Sequence, residues 1–328
     1  MPRLLAFGEV LVDWIPLEFQ RQGKIDIPIC GQYPGGAPAN VAVAVAGLGH
    51  QALMLGQVGD DAAGHYLRDC LVRQAVDCDY LLSSKHYATP MAFVSLDAEG
   101  ERSFSFQRSE TADLKVRLND FPQQVLEEEG ILHVCSNTLT ENDIAETTSS
   151  ILSAAKQAGL LISFDVNIRL PLWVSTEQLF QRVIDTAAAS DMLKLSQEEW
   201  DYLSKLGQVD DLAAFLFERG VSLILLTDGA EDVQLLTAKW QTSLATPKVT
   251  VVDTTGAGDA FTGAWLASLL QQNICKRESL TQAIDSQTPL LDALQAAVVA
   301  GALAVTKRGA WSALPSAADI HAFIQSKE

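Results

Sequence analysis

The stretch Val251–Trp265, VVDTTGAGDAFTGAW, sets Gly256, Gly258 and Gly263 around the carboxylate of Asp259. A run of strand character, Val249–Val252, leads in, and an apolar helix-like run, Ala260–Leu270, leads out. A helix start leaves backbone N–H groups unpaired and carries partial positive charge. Glycines there let a ligand reach the bare backbone, which makes the turn an anion cradle. An aspartate beside a bound anion adds repulsion, unless its task is to take a proton. A hydroxyl attacking phosphorus must lose one, so the pattern fits phosphoryl transfer. The same Asp259 is equally well accounted for as a favourable charge in a first helical turn. The stretch is neither a dinucleotide fingerprint, because Phe261 stands where the third glycine belongs, nor a Walker A loop, because no Gly-Lys-Ser/Thr follows.

Working outward, β-rich runs alternate with helical ones. The strands are expected at Leu4–Phe7, Ala52–Val58, Ile131–Ser136, Leu160–Asp165, Met192–Leu195 and Leu223–Thr227. Helices are expected at Ala62–Ala75, Asp143–Ala158, Thr176–Ala188, Gln197–Leu206, Asp210–Arg219, Gly258–Leu270, Leu290–Thr306 and Ala317–Ser326. This alternation predicts a mostly parallel sheet covered by helices. NVAVAVAGLG (Asn40–Gly49) alternates like a strand, but Pro38 before it and Gly47 and Gly49 at its end favour a buried helix. Two regions break the alternation. Leu11–Tyr33 reads as extended, and Pro90–Gln107 alternates apolar and polar residues around DAEG, a hairpin signal. Together they predict a small separate sheet, either a lid over the main sheet's mouth or a plain edge extension.

Of the 328 residues, 48% are hydrophobic and 20% charged, a globular balance. A net charge of −18 opposes binding to nucleic acid and to anionic membrane. Cys30, Cys70, Cys78, Cys135 and Cys275 are scattered without a C-x-x-C pair, which predicts reduced thiols and a cytoplasmic protein. Glu9 and Asp13 interrupt the first apolar run, so it reads as a strand and not as a signal peptide. His50, His65, His86, His133 and His321 show no zinc-ligand spacing.

DTTGAGDAFTGAW (Asp253–Trp265) and GGAPANVAVAVAGLG (Gly35–Gly49) resemble the two signatures of the ribokinase-like, or PfkB, carbohydrate kinases. LLAFGEVLVDWIP, QVGDDAAGHYL, TPMAFVSLDAEGERSFSFQR, SFDVNIRLPLW, KLSQEEW and TKRGAWSALP follow in the order that family shows, so the likeness runs along the whole chain. GGAPANVAVA, FDVNIRLPLW and KLSQEE are most similar to fructokinases. The resemblance implies a single α/β/α sandwich domain spanning residues 1–328, with lid strands inserted within about 11–33 and 86–110. It implies an ATP-dependent sugar kinase, most similar to those acting on D-fructose. Kinases of 2-keto-3-deoxygluconate, ribose or nucleosides, and a sugar-binding module without catalysis, stand as alternatives.

Residue by residue, the resemblance makes Asp259 the base and Gly256, Ala257 and Gly258 the anion hole. Asp13, Gly35, Gly36 and Asn40 become sugar contacts, joined by Arg108 from the hairpin end and Arg169 beyond a strand end. Either arginine reads as well, alone, as a surface residue. Lys194, Ser196, Thr227 and Gly229 fall at nucleotide positions, and Glu199 at the position that organises Mg²⁺ through water. Asp253, Thr255, Ala304 and Gly309 match a monovalent-cation site, K⁺ in many relatives. The chain departs from the pattern at Ser196 (for Asn), Val166 (for Pro), Gly47 (for Arg), Asp228 and Asp232. The last two put negative charge into the nucleotide segment. Trp311 reads as packing, or as a flank for adenine. An apolar lid face with open edges predicts a homodimer formed through the lid.

Overall fold

The computed structural model describes residues 2–96 and 102–326. Its strands, in chain order, are β1 (Arg3–Phe7), β2 (Leu11–Gln22), β3 (Ile25–Gly35), β4 (Ala52–Gly59), β5 (Leu81–Ser84), β6 (Met91–Leu96) and β7 (Arg102–Gln107). Then come β8 (Gly130–Cys135), β9 (Leu161–Asp165), β10 (Met192–Ser196), β11 (Leu223–Thr227), β12 (Val233–Thr237) and β13 (Gln241–Leu244). Nine strands form one sheet in the order β13-β12-β11-β10-β9-β8-β1-β4-β5. From β11 to β5 every pairing is parallel, while β12 and β13 close one edge antiparallel. β1, β8 and β9 are buried along their whole length, as strands covered on both faces must be.

The connecting helices bury one stripe each. Asn142–Ala158 turns Ile144, Thr148, Ile151, Leu152 and Ala155 inward and ends on Gly159 in the left-handed conformation. Two helices differ, because they are buried nearly all round: Ala37–Gly47 and Ala257–Gln271. They pack on each other so closely that a Cβ on Gly263 would overlap the Ala44 methyl. That approach, which only glycine permits, brings Asn40 beside Asp259.

β4 and β5 leave β1 on one side, and β8 pairs with it on the other. The order therefore reverses between β1 and β8, and the crevice beyond their C-terminal ends is where open α/β sheets hold ligands. The α/β class, the parallel sheet and the separate small sheet all agree with the sequence reading. The helix reading of the Asn40–Gly49 region also holds, with the helix starting at Ala37 and Pro38 in its first turn. The small sheet has the order β3-β2-β6-β7, with β2 and β6 parallel and the other pairs antiparallel. Its expected DAEG turn, 97–100, lies outside the described residues.

The Val249–Val252 run forms no strand. Among the described residues no neighbour offers it a ladder. Instead the Val252 and Asp253 N–H groups both donate to the Val305 carbonyl, and Val251 and Val252 stay 60% and 50% exposed. β5, β12, β13 and the helix Arg277–Ser286 have no counterpart in the sequence reading. The helix expected to end at Thr306 stops at Ala304.

Candidate functional site

Gly256 caps the helix Ala257–Gln271 with φ 76°, a left-handed conformation that costs glycine nothing. The first N–H groups of the helix have no carbonyl within the helix to meet. The Ala257 N–H also reaches the Thr254 carbonyl at 3.3 Å. Asp259 lies in the first turn, half-buried, and accepts from Asn40 Nδ2 at 2.6 Å. Asn40 in turn accepts from Trp311 Nε1 at 2.6 Å. Burial pushes the Asp259 carboxyl up to about 6; the Asn40 bond opposes that, Asp165 adds to it, and Lys194 and Arg169 pull it back.

Asp13 sits on β2 opposite Tyr33. Its carboxylate occupies the space a Cβ on Gly35 would need. Gly36, at φ 105°, brings the chain against the Glu9 carbonyl, where any side chain would collide. Burial, then the charges of Asp259 and Glu9, raise the Asp13 carboxyl to about 7, with Arg169 opposing. Asp13, Gly35, Gly36, Asn40 and Asp259 thus form one acidic corner at the seam of the two sheets.

Lys194 pairs with Asp165 across adjacent strands, Nζ to the two carboxylate oxygens at 3.2 and 3.1 Å. Burial works against the ammonium, but Asp165, Glu199 and Asp259 outweigh it and hold its pKa above the usual lysine value. Its Nζ lies 2.9 Å from where a Cβ on Gly258 would sit, so the cation abuts the helix start. Ser196 caps the next helix, Gln197–Gly207, in a reciprocal box with Glu199. Glu199 Oε1 accepts from the Ile168 N–H at 2.7 Å and Oε2 from the Ser196 N–H at 2.8 Å. Thr227 ends β11 directly beside Ser196, and Gly229 follows in an exposed turn. Asp228 and Asp232 are both exposed.

The two arginines differ. Arg169 is exposed and borders a cleft of about 370 Å³ between Phe106 of β7 and Ile168–Pro171. Arg108 is buried instead of reaching out from the hairpin end: Nε donates to Asp113 at 2.6 Å and Nη1 to Thr140 at 3.3 Å. Its Nη2, like Glu9 Oε2 and Asn137 Oδ1 nearby in the crevice, is buried and finds no hydrogen-bond partner among the described residues. Asp253 Oδ1 accepts from the Thr255 N–H and hydroxyl at 3.0 and 2.7 Å, and Oδ2 from the Gly309 N–H at 3.1 Å. That carboxylate ties the Gly256 loop to the segment after Ala304, so all four expected cation-site residues fall in one neighbourhood.

With this geometry in place, comparison with known proteins is decisive. The model of the pfkB family carbohydrate kinases matches residues 1–317. The chain belongs to that family. It is therefore a sugar kinase. Among its relatives, probable fructokinase-5 of Arabidopsis thaliana is 33% identical over 329 residues, covering 99% of this chain and 98% of the relative. Fructokinase-2 of Solanum lycopersicum is 32% identical, covering 96% and 94%. The structure of a Xylella fastidiosa fructokinase with bound ATP superposes with a TM-score of 0.92 at 36% identity, covering 99% of this chain and 98% of that one. A Vibrio cholerae fructokinase variant, solved with fructose, ADP and potassium ion, gives 0.84 at 33% identity, covering 98% of each chain.

Sequence reasoning passed over Glu9, Asp113, Asn137, Asp165 and the polar role of Trp311. Asp165 carried a signal, a carboxylate at the last position of a parallel strand. Trp311 carried none, because an isolated tryptophan reads as packing until its N–H partner is seen.

Proposed function

We propose that this sugar kinase transfers the γ-phosphoryl group of MgATP to a primary hydroxyl of D-fructose. The observation that carries the reading is the half-buried Asp259 carboxylate at the Gly256 helix start, hydrogen-bonded to Asn40 and close enough to Asp13 to raise its pKa. Fructokinase relatives along the full chain supply the sugar.

In this reading the sugar lies in the crevice beyond β1 and β8. Asp13 and Asn40 take hydrogen bonds from and give them to its hydroxyls, while Gly35 and Gly36 let the Asp13 carboxylate and the Glu9 carbonyl pack close and so shape the pocket wall. Asp259 takes the proton of the attacking hydroxyl. The Gly256, Ala257 and Gly258 N–H groups hold the transferring oxygens, with the Ala257 N–H exchanging Thr254 for them. Lys194 contributes positive charge beside the phosphates, while Ser196, Thr227 and Gly229 line the nucleotide's path. Val251 and Val252, exposed just before the Gly256 loop, suit an apolar contact with adenine. Arg169 reaches across the cleft toward the phosphate or the sugar. Arg108 meets the sugar through Nη2, which has no hydrogen-bond partner among the described residues. Because Asp113 and Glu9 already balance that guanidinium, the pocket suits a neutral sugar better than the carboxylate of 2-keto-3-deoxygluconate.

Mg²⁺, when bound, neutralises charge on the β- and γ-phosphates. Both Glu199 oxygens already accept backbone N–H groups and retain a lone pair each, which fits contact through water and not direct ligation. The loop pinned by Asp253 and Thr255, with Ala304 and Gly309, fits a K⁺ ion held by backbone carbonyls. Asp228 and Asp232 are exposed, which lets their carboxylates turn to solvent beside the nucleotide.

The small sheet acts as a lid over the crevice and excludes water as a competing acceptor. Its exposed Leu17, Phe19, Ile25 and Ile29 fit a second copy of the chain. Five free thiols fit the cytoplasm. Among the described residues no helix is long and apolar enough to cross a membrane.

ADP release measured with MgATP against D-fructose, 2-keto-3-deoxygluconate, D-ribose and adenosine tests the assignment. Fructose should lead in kcat/KM by at least about tenfold. A higher kcat/KM for any other acceptor would overturn the substrate.

A further inference from the structure

Asp259 is held by a chain of two short hydrogen bonds that ends at an indole. Trp311 Nε1 donates to Asn40 Oδ1, Asn40 Nδ2 donates to Asp259 Oδ2, and both distances are 2.6 Å. An indole N–H can only donate. It therefore settles which end of the Asn40 amide it meets. With the oxygen turned to Trp311, the NH₂ must face Asp259. The flipped amide would set donor against donor at one end and carbonyl against carboxylate at the other. Asn40 and Trp311 are 7% and 9% exposed, so neither polar group has bulk water as a substitute.

The indole is itself fixed in place. Gly309, two residues earlier, donates its N–H to Asp253 in the loop leading to the helix start. Ala310 packs so closely over Gly256 that a Cβ there would lie 3.2 Å from the Ala310 Cα. The segment carrying Trp311 is thus docked on the same turn that carries Asp259.

We propose that Trp311 is a positioning residue, whose indole N–H orients the Asn40 amide so that its NH₂ group holds the Asp259 carboxylate in place. The inference rests on Asp259 being the base. An N–H donated to a carboxylate favours its ionised form, so losing the correct amide orientation raises the pH at which Asp259 becomes competent. The other groups that act on Asp259 are Asp165 on β9, Lys194 on β10, Arg169 beyond β9, Asp13 on β2 and the neutral Cys135 thiol on β8. None of them is altered by changing Trp311.

The test is the pH profile of kcat for Trp311→Phe at saturating MgATP and fructose, from pH 5 to 9. The acid limb should move up by about half a unit or more, so that the activity loss is several-fold greater at pH 6 than at pH 8. Benzothienylalanine at position 311, which puts sulfur in place of the N–H at nearly constant shape, should do the same and serves if the phenylalanine variant fails to fold. In an Asn40→Ala background, Trp311→Phe should add no further displacement. A folded variant with an unmoved acid limb, or an equal displacement with Asn40 absent, would overturn the inference. Asp259→Ala run alongside separates the two claims: full turnover there removes the base itself, whereas an inactive Asp259→Ala beside an unmoved Trp311→Phe profile removes only the role of Trp311.

Discussion

The two sheets of this chain treat charge and apolar surface in opposite ways. The nine-stranded sheet is covered on both faces except at its β13 edge, yet it gathers Glu9, Asp165 and Lys194 at its C-terminal edge, each withdrawn from water. The four-stranded sheet leaves Leu17, Phe19 and Ile25 more than half exposed. One keeps costly charges inside; the other keeps apolar side chains outside. Each is unfavourable for an isolated chain and becomes favourable once something binds. Asp13 and Asp259 stand where the sheets meet, and their carboxyls carry the raised pKa values of about 7 and about 6.

The contrast breaks most visibly at Lys194. Lys194→Met leaves Asp165 buried with, among the described residues, only the Thr262 hydroxyl, at 3.4 Å, as a neighbouring side-chain donor. The loss should be about 3–5 kcal/mol by urea unfolding, and Asp165→Asn in the same chain should recover part of it. A loss below about 1 kcal/mol would mean that the pair behaves as a surface salt bridge.

Asp13 sharpens the comparison through pH. Its folded pKa lies above the ordinary 3.8, so the native state binds the proton more tightly than the unfolded chain. The stability this contributes is complete below pH 3.8 and is lost as pH rises toward 7. Asp13→Asn removes that loss and should stabilise the free protein by about 2–4 kcal/mol at pH 8, with the gain shrinking toward pH 4. The same variant should raise the KM for fructose by about 10- to 100-fold. A melting shift independent of pH would show that the carboxylate is not held against its charge.

The smallest effect on the fold belongs to the four-stranded sheet. Phe19→Ser should change monomer stability by less than about 0.5 kcal/mol and, on the proposed pairing of two copies through this sheet, should shift sedimentation toward monomer. A large loss of monomer stability would place Phe19 in a core of its own.

Legibility in the sequence followed the same division. Strands buried on both faces, such as Leu223–Thr227, are short apolar runs between turn signals, and their bounds were readable. The glycine-capped helix start with Asp259 in its first turn was readable too, because a residue that tolerates φ > 0 and a charge are both written in residue type. Val249–Val252 misled, since β-branched residues show a preference for extended backbone and not the presence of a partner strand. β5 and β13 have only four residues each, too short for a period to show. Arg108 looked like a hairpin end. Its burial depends on Asp113 and Thr140, and no spacing rule predicts which carboxylate a guanidinium will meet after the chain folds.

The central claim is that Asp259 takes the proton from the sugar hydroxyl. Steady-state ADP release for Asp259→Ala and Asp259→Asn, with MgATP affinity measured separately by calorimetry, tests it most directly. The account predicts that kcat falls by about 10²–10⁴-fold while MgATP affinity stays within a few-fold of wild type. A kcat within tenfold of wild type in a folded variant would contradict it.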